Sequence, residues 1–312
     1  MEYIKGGQIF NPAGNYEWMD SYASPVTSVE LEDRIRVYFS TRSKIDEKGF
    51  FTSYTGFIDV DKNEPSKVLY IHDKPLLEVG RPGTFDEHGI MVAEVVKHGD
   101  KFYMYYMGWQ RSDTVPYVIR TGLALSDDGC SFTKVSEGPV IGLNRFIPFG
   151  VGNLSIVIEQ GRFHMWYTHY KPWLNTPIGF RPTYDIRYAW SDNGLDWIFG
   201  DECVRPENDN ESIATPCVRY INGSYHMWYA YRPAVDERGR SGPYSIGYAS
   251  SPDGQQWTRQ DRLVGLTVSE TGWDSEMVCA PDMLKAGDDL LLFYCGNHYG
   301  RDGFGYARIK NL

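Results

Sequence analysis

The sequence contains a repeated strand, and carboxylates or a histidine occur at the same distance before the start of several of its copies. A proline or small residue stands six or seven positions before a recurrent turn, as Pro25, Ala93, Ser155, Pro216 and Pro281. Five residues before these anchors stand Asp20, His88, Gly150, Glu211 and Glu276. Carboxylates that converge on one pocket can cleave a glycosidic bond: one protonates the leaving oxygen, and another activates water or attacks the anomeric carbon. Mutual repulsion and partial burial would raise the pKa of at least one of them.

The neighbours of these positions add further candidates. Asp86 and Glu87 precede His88, and Asp274 lies two residues before Glu276. We expect Asp86 or Asp274 to tune the catalytic groups, and Glu87 and His88 to contact substrate. The competing interpretation is structural, because carboxylates at strand entries also cap turns or pair with arginine across neighbouring units.

A second set of polar residues lies at the ends of the recurrent aromatic strands. These candidate substrate-binding residues are Trp109, His169, Arg232 and Asn297, joined by Asn153 in the third unit. The segment Lys171 to Thr183 is a candidate lid. Arg181, Arg232 and Arg301 could hold a phosphate or carboxylate of the substrate, although surface ion pairs also account for such arginines.

The elements that position these residues form a repeat of about 62 residues. Gly99, Gly161, Gly223 and Gly287 each open an aromatic strand, and they are 62, 62 and 64 residues apart. A copy without the glycine begins at Asp33. Repeats of this kind indicate solenoids or propellers, because one unit cannot bury its apolar face alone.

Each unit has the pattern of a four-stranded antiparallel blade. A strand, a Gly turn, an aromatic strand, a long loop, a third strand, a Ser-x-Asp/Asn-Gly turn and a fourth strand follow in order, and Asp-Gly and Asn-Gly favour tight hairpins. The sequence therefore predicts an all-β, five-bladed β-propeller as a single domain over 1–312, with no helix of ten residues or more. The blades are predicted at about 16–70, 80–140, 145–206, 208–265 and 270–312. The last unit lacks its fourth strand, which Gly7 to Phe10 could supply.

Composition narrows the partners. The net charge of −10 argues against nucleic acid, which requires clustered Lys and Arg. No signal-like segment and no apolar run of 18 residues are present, so we expect no membrane partner and a cytoplasmic location. Five scattered cysteines indicate reduced thiols. Neither metal-binding His motifs nor a Walker loop occur, so no cofactor is expected. A structural cation in the central channel stays an alternative. The oligomeric state is not determined by the sequence.

The blade pattern and the Gly-x-Tyr-x-Met-Trp-Tyr strands resemble the five-bladed glycoside hydrolases of families 32, 43, 62, 68 and 117 and the phosphorylases of family 130. The segments Tyr184–Ala189, Gly272–Met277 and Gly300–Gly305 more closely resemble an uncharacterised bacterial group associated with polysaccharide or nucleotide-sugar genes. The resemblance implies carbohydrate chemistry on a small carbohydrate or nucleotide-sugar substrate.

In the family 43 type, the resemblance implies Asp20 as general base and Asp86 as the tuning residue. The general acid of that family usually lies on the third blade, but the third unit of this chain has no carboxylate at Phe149–Asn153. Glu211, Glu276 or His169 would therefore have to replace it. We therefore predict a glycoside hydrolase-like enzyme that works by inverting hydrolysis. Two alternatives stay open: a phosphorylase or glycosyl-transferring propeller, and a non-catalytic sugar-binding propeller.

Overall fold

A computed structural model describes all residues 1–312 as five four-stranded antiparallel sheets, which confirms the predicted fold class. Blade I contains β2 (Val26–Glu30), β3 (Arg34–Arg42), β4 (Ser53–Asp61) and β5 (Val68–Ile71). Blade II contains β6 (Ile90–His98), β7 (Lys101–Arg111), β8 (Tyr117–Ser126) and β9 (Thr133–Lys134). Blade III contains β10 (Val151–Glu159), β11 (Arg162–Tyr170), β14 (Tyr184–Ser191) and β15 (Ile198–Val204), with the hairpin β12 (Leu174–Thr176) and β13 (Gly179–Arg181) in its long loop.

The last two blades complete the ring. Blade IV contains β16 (Glu211–Ile221), β17 (Ser224–Pro233), β18 (Ser245–Ser251) and β19 (Thr258–Arg259). Blade V contains β20 (Cys279–Ala286), β21 (Asp289–Cys295), β22 (Phe304–Lys310) and β1 (Glu2–Phe10). The helical segments are one 3-10 turn at Asp261–Leu263 and one short turn at Asn297–Gly300, so no helix reaches ten residues. None of them could cross a membrane.

The strand β1 closes the propeller. It pairs antiparallel with β22, with Tyr3 opposite Ile309 and Phe10 opposite Phe304, as the short fifth repeat predicted. Phe10 is buried in the core cluster that also contains residues of blade I. Each innermost strand contacts the innermost strands of both neighbouring blades, and β2 against β20 completes the circle.

The Ser-x-Asp/Asn-Gly turns connect neighbouring blades as well as strands. Their glycines have positive φ angles of 69°, 73° and 72° at Gly129, Gly194 and Gly254, as tight turns require. The carbonyl of Gly129 accepts a hydrogen bond from Tyr38 of the preceding blade, and that of Gly254 accepts one from Trp166. The sequence repeat therefore encodes both the blade and its contact with the next blade.

A largely buried ion-pair network joins the inner strands of blades II, IV and V. Arg219 of blade IV donates to Asp282 of blade V at 2.8 Å, and its Nη2 lies 3.7 Å from the carboxylate of Glu94 of blade II. Thr27 donates to Glu94 at 3.2 Å. Burial, with the neighbouring charge of Asp282, raises the pKa of Glu94 to about 7 although Arg219 opposes the shift.

This network predicts a pH-dependent stability. An unfolded glutamate loses its proton near pH 4.5, whereas folded Glu94 keeps it to about pH 7. In that window the folded state binds more protons, so rising pH lowers the free energy of unfolding. We expect the urea midpoint to fall between about pH 5 and pH 7.5, and Glu94→Gln to remove most of that fall. Glu64→Gln, at an exposed position, is the control. If the urea midpoint of Glu94→Gln falls with pH as steeply as that of the unmodified protein, Glu94 is not the cause of the pH dependence.

Candidate functional site

The entrances of the inner strands and the ends of the second strands surround a central cavity of about 270 Å³. The residues that face this cavity can be found by counting along the second strand from its recurrent aromatic residue, which is Phe39, Tyr106, Tyr167, Tyr229 or Tyr294. The first and third residues after it face the cavity in blades II and III, and the residue between them does not. The third positions are Arg42, Trp109, Tyr170, Arg232 and Asn297.

The cavity wall is mostly apolar and aromatic. Its lining includes Met91, Met107, Trp109, Tyr117, Ile119, Tyr170, Tyr184, Tyr244 and Tyr299, and it contains no aspartate or glutamate. Polar groups on the wall include Arg42, Asn153 and Thr215. Trp109 Nε1 and Thr215 Oγ1 are buried without hydrogen-bond partners, so both can bond to a ligand that enters the cavity.

Arg42 contributes a positive charge to this wall. Its guanidinium lies 3.8 Å from the ring centroid of Tyr22 and 4.2 Å from that of Phe51. No carboxylate forms an ion pair with it, and burial lowers its pKa. Stacking between two rings holds the guanidinium plane while leaving its N–H groups for an anion.

A second chamber of about 410 Å³ adjoins the cavity, and we call it the arginine chamber. It is lined by Tyr117, Ile178, Arg181, Pro182, Tyr184, Arg232, Arg240, Ser241, Tyr244 and Tyr299. Its four tyrosines also line the central cavity, so the two spaces share a wall of tyrosines. Arg181 lies on the predicted lid, which the structure shows as the hairpin β12–β13.

The structure does not bring the four predicted catalytic carboxylates together. None of them lines the central cavity or the arginine chamber. Asp86 is buried against Lys134 of β9 at 2.6 Å and accepts from Thr84. Glu211 forms a bidentate pair with Arg259 of β19, at 2.6 and 2.8 Å. Asp86 thereby joins the outer strand of blade II to the loop before β6, and Glu211 joins the outer strand of blade IV to the start of β16, which is a structural role.

Asp274 has the same structural role in blade V. It pairs with Lys5 of β1 at 2.6 Å and accepts from Tyr294 at 2.9 Å. Burial alone would raise its pKa, but the hydrogen bonds from Lys5, Ser269 and Tyr294 lower the pKa of Asp274. The recurrent tyrosine of the second strand likewise donates to Asp86 in blade II.

Asp20 and Glu276 differ from these tethered groups. Asp20 is half-buried at the entrance to blade I, where its backbone N–H donates to the carbonyl of Arg42 at 2.9 Å, and no cation pairs with its carboxylate. The side chain of Glu276 is 63% exposed, and His298 Nε2 lies 3.6 Å from its carboxylate. Of the four predicted catalytic carboxylates, only these two have no Lys or Arg partner.

The predicted binding residues separate into two groups. Trp109 and Asn153 line the cavity, and Arg232 lines the arginine chamber. His88 lies beside Trp109, with ring centroids 6.1 Å apart, and its Nδ1 accepts from the backbone of Arg111. Burial lowers the pKa of His88, which favours the neutral ring.

The other predicted binding residues are occupied elsewhere. Glu87 accepts from the backbone of Gly83 and from Gln110, which lowers its pKa. Asn297 bonds with both amide atoms to the loop that precedes β20, accepting from Glu276 N–H and donating to the carbonyl of Gly272. Arg301 is exposed and pairs with Asp302 at 3.3 Å.

His169 lies between Thr168 and Tyr170, which both face the cavity, and its own side chain does not. Its Nδ1 is 2.9 Å from Asp185 Oδ1, and Arg187 also contacts that carboxylate. Burial opposes ionisation of Asp185, but the hydrogen bonds from His169 and Arg187 lower its pKa. Tyr170, not His169, occupies the place that corresponds to Trp109 and Arg232. The sequence analysis missed Tyr170 and Arg42, which counting from the recurrent aromatic would have found.

Comparisons with known proteins agree with this fold. The chain is 33% identical to the uncharacterised protein MT1551 of Mycobacterium tuberculosis over 319 residues, covering 100% of both chains. It is 23% identical over 180 residues to a β-1,2-mannobiose phosphorylase of a Thermoanaerobacter species, covering 54% of this chain and 56% of that one. No protein-family profile matches the chain.

Solved structures share the architecture at low sequence identity. A glycoside hydrolase superposes with a TM-score of 0.75 at 15% identity, covering 99% of this chain and 92% of the other. A β-1,2-mannobiose phosphorylase from Listeria innocua superposes with a TM-score of 0.70 at 14% identity, covering 99% and 97%. The protein therefore has the glycoside hydrolase-like five-bladed propeller fold.

Proposed function

Because this chain belongs to the same family as the mycobacterial protein MT1551 and has a fold found in glycoside hydrolases and phosphorylases, we propose that it cleaves a glycosidic bond in the central cavity. Within that class we propose phosphorolysis, in which inorganic phosphate replaces water as the attacking group. The relative identified as a β-1,2-mannobiose phosphorylase supports this choice.

The observation that carries the proposal is a cavity wall with a cationic group and no carboxylate. Arg42 lines the cavity and has no aspartate or glutamate partner. A buried guanidinium without a counterion is costly, so a bound anion would stabilise it. Inverting hydrolysis needs a second carboxylate to activate water, whereas a phosphate anion is itself a nucleophile.

Asp20 is the proposed general acid. A phosphate oxygen attacks the anomeric carbon while the bond from that carbon to the leaving oxygen breaks. The proton of the Asp20 carboxyl passes to the leaving oxygen, so the products are a sugar 1-phosphate and the released sugar. Asp20 fits this role because it is half-buried beside Arg42 of the cavity wall, to whose carbonyl its backbone N–H donates, and because it is free of the ion pairs that hold Asp86 and Glu211.

Hydrolysis is the second candidate, and one observation favours it. Asp20 of blade I and Glu276 before blade V both lack a Lys or Arg partner. The two entrances are adjacent in the ring, since the N–H of Ala23 donates to the carbonyl of Gly300 at 2.9 Å. In this candidate, one carboxylate would protonate the leaving group and the other would activate water.

Phosphate dependence separates the candidates. Purified protein is incubated with a panel of disaccharides that includes β-1,2-mannobiose, with and without inorganic phosphate, and products are identified by mass spectrometry. We expect a sugar 1-phosphate that forms only with phosphate present. Equal cleavage without phosphate would replace phosphorolysis by hydrolysis, and binding without turnover across the panel would indicate a sugar-binding propeller.

A further inference from the structure

The arginine chamber has a charge unlike that of the whole protein. The chain has 41 acidic and 31 basic residues, a net charge of −10. The ten residues that line this chamber nevertheless include three arginines and no aspartate or glutamate. A concave site of one charge sign attracts and concentrates ligands of the opposite sign.

Arg232 is the buried member of this set. It is 4% exposed, and its guanidinium lies 4.7 Å from the ring centroid of Tyr244. Its Nη1 donates to the hydroxyl of Tyr299 at 3.3 Å, and its Nε has no hydrogen-bond partner. An unpaired N–H on a buried cation is costly, and an oxyanion in the chamber would satisfy it.

Two loop arginines extend the positive surface toward solvent. Arg181 donates to the carbonyls of Phe180 at 3.0 Å and Ile178 at 3.2 Å, so backbone contacts position it without a carboxylate. Arg240 pairs with Asp236 at 2.8 Å, and both side chains are exposed. Such an exposed pair is weak and can exchange Asp236 for a ligand anion.

The tyrosine wall determines how a ligand would lie. Tyr117, Tyr184, Tyr244 and Tyr299 line both the cavity and the chamber. Arg232 contacts two of these rings, Tyr244 and Tyr299, so a sugar bound against the tyrosine wall would carry its substituents close to that arginine. Aromatic rings are suitable surfaces for the apolar face of a sugar, with hydroxyl groups directed to polar side chains.

We propose that the arginine chamber binds an anionic group, a phosphoryl or a carboxylate, that is covalently part of the sugar substrate. The substrate is then an acidic or phosphorylated glycoside and not a neutral one. Assigning the anion to the substrate rests on the proposed function. The chamber itself is an oxyanion site whether or not cleavage occurs.

Direct binding tests the proposal without requiring turnover. Calorimetry compares glucose 6-phosphate, mannose 6-phosphate and glucuronate with glucose and mannose, and with inorganic phosphate alone. We expect at least one anionic sugar to bind about tenfold or more tightly than its neutral counterpart, and more weakly at high salt. The phosphate and carboxylate arms identify which anion the chamber prefers.

Three variants locate the site. Arg181→Gln/Arg240→Gln changes only loop side chains and should weaken anionic binding about tenfold. Arg232→Met should weaken it further, and the loop variant keeps the test valid if Arg232→Met does not fold. Arg162→Gln is the control, because Arg162 pairs with Asp192 on the surface outside the chamber.

Several outcomes would overturn the proposal. These are equal affinity for neutral and anionic sugars, no measurable binding of any anionic probe, or unchanged anionic binding in Arg181→Gln/Arg240→Gln. Inorganic phosphate that binds as tightly as the sugar phosphates, and that loses this binding in Arg181→Gln/Arg240→Gln, would make the chamber a site for free phosphate and not for a substrate substituent. Anionic binding that persists in a protein without turnover would refute the proposed cleavage and leave the oxyanion site in place.

Discussion

Asp20→Asn is expected to lower kcat by about two to four orders of magnitude, the usual contribution of a general acid. Asparagine keeps the size of the side chain but has no acidic proton for the leaving oxygen. Because Asp20 contributes its backbone N–H and no side-chain ion pair to the fold, the unfolding midpoint should stay unchanged. Steady-state kinetics on the substrate found by the phosphate screen measure the effect.

The companion variant Glu276→Gln distinguishes the two mechanisms. Phosphorolysis with one acid predicts a small effect of Glu276→Gln, whereas hydrolysis by two carboxylates predicts a loss comparable with that of Asp20→Asn. Glu17→Gln is the matched control, since Glu17 is a nearby carboxylate whose side chain is 91% exposed. A kcat for Asp20→Asn within twofold of the unmodified protein would remove Asp20 from the reaction.

Deleting the segment 1–10 is expected to lower the free energy of unfolding by more than about 4 kcal/mol. Phe10 and Tyr3 each contribute roughly 2 kcal/mol through apolar burial, before strand hydrogen bonds are counted. The deletion also leaves Asp274 buried without Lys5 and removes the Tyr3 hydroxyl that accepts from Trp228 at 3.0 Å. Urea denaturation of the truncated protein measures the loss.

The matched control for this deletion restores the strand. A synthetic peptide of residues 1–12, added to the truncated protein, should raise the urea midpoint, because β22 offers the same edge to a strand in trans. A peptide with Phe10→Ala and Tyr3→Ala should restore less. A truncated protein with an unchanged midpoint would show that β1 contributes little to closure.

The sequence was sufficient for the fold because the signals are local. In blades II, III and IV, the Gly turn, the aromatic strand and the Ser-x-Asp/Asn-Gly turn all lie within one repeat, and the copies reinforce one another. Even the pairing of β1 with β22 follows from counting strands in the fifth unit. A repeat architecture leaves few other ways to bury these strands.

The roles of the carboxylates could not be predicted in the same way. Asp86 pairs with a lysine 48 residues away, and Asp274 pairs with one 269 residues away. Ion pairs between residues so far apart in sequence form only when the chain has folded. The sequence alone therefore cannot distinguish carboxylates that are held in ion pairs from those that are not. The site residues that lie at fixed steps from the recurrent aromatic, such as Trp109 and Arg232, were accessible to prediction.

The pairing of β1 with β22 also has a consequence for synthesis on the ribosome. At about 5–20 residues per second, β22 emerges roughly 15–60 s after β1, so β1 stays without its partner while all the strands between them are translated. Four blades can complete their own sheets in turn as they emerge. The fifth forms last, from β1 and the three strands β20 to β22, and only then does the nascent polypeptide become a closed ring.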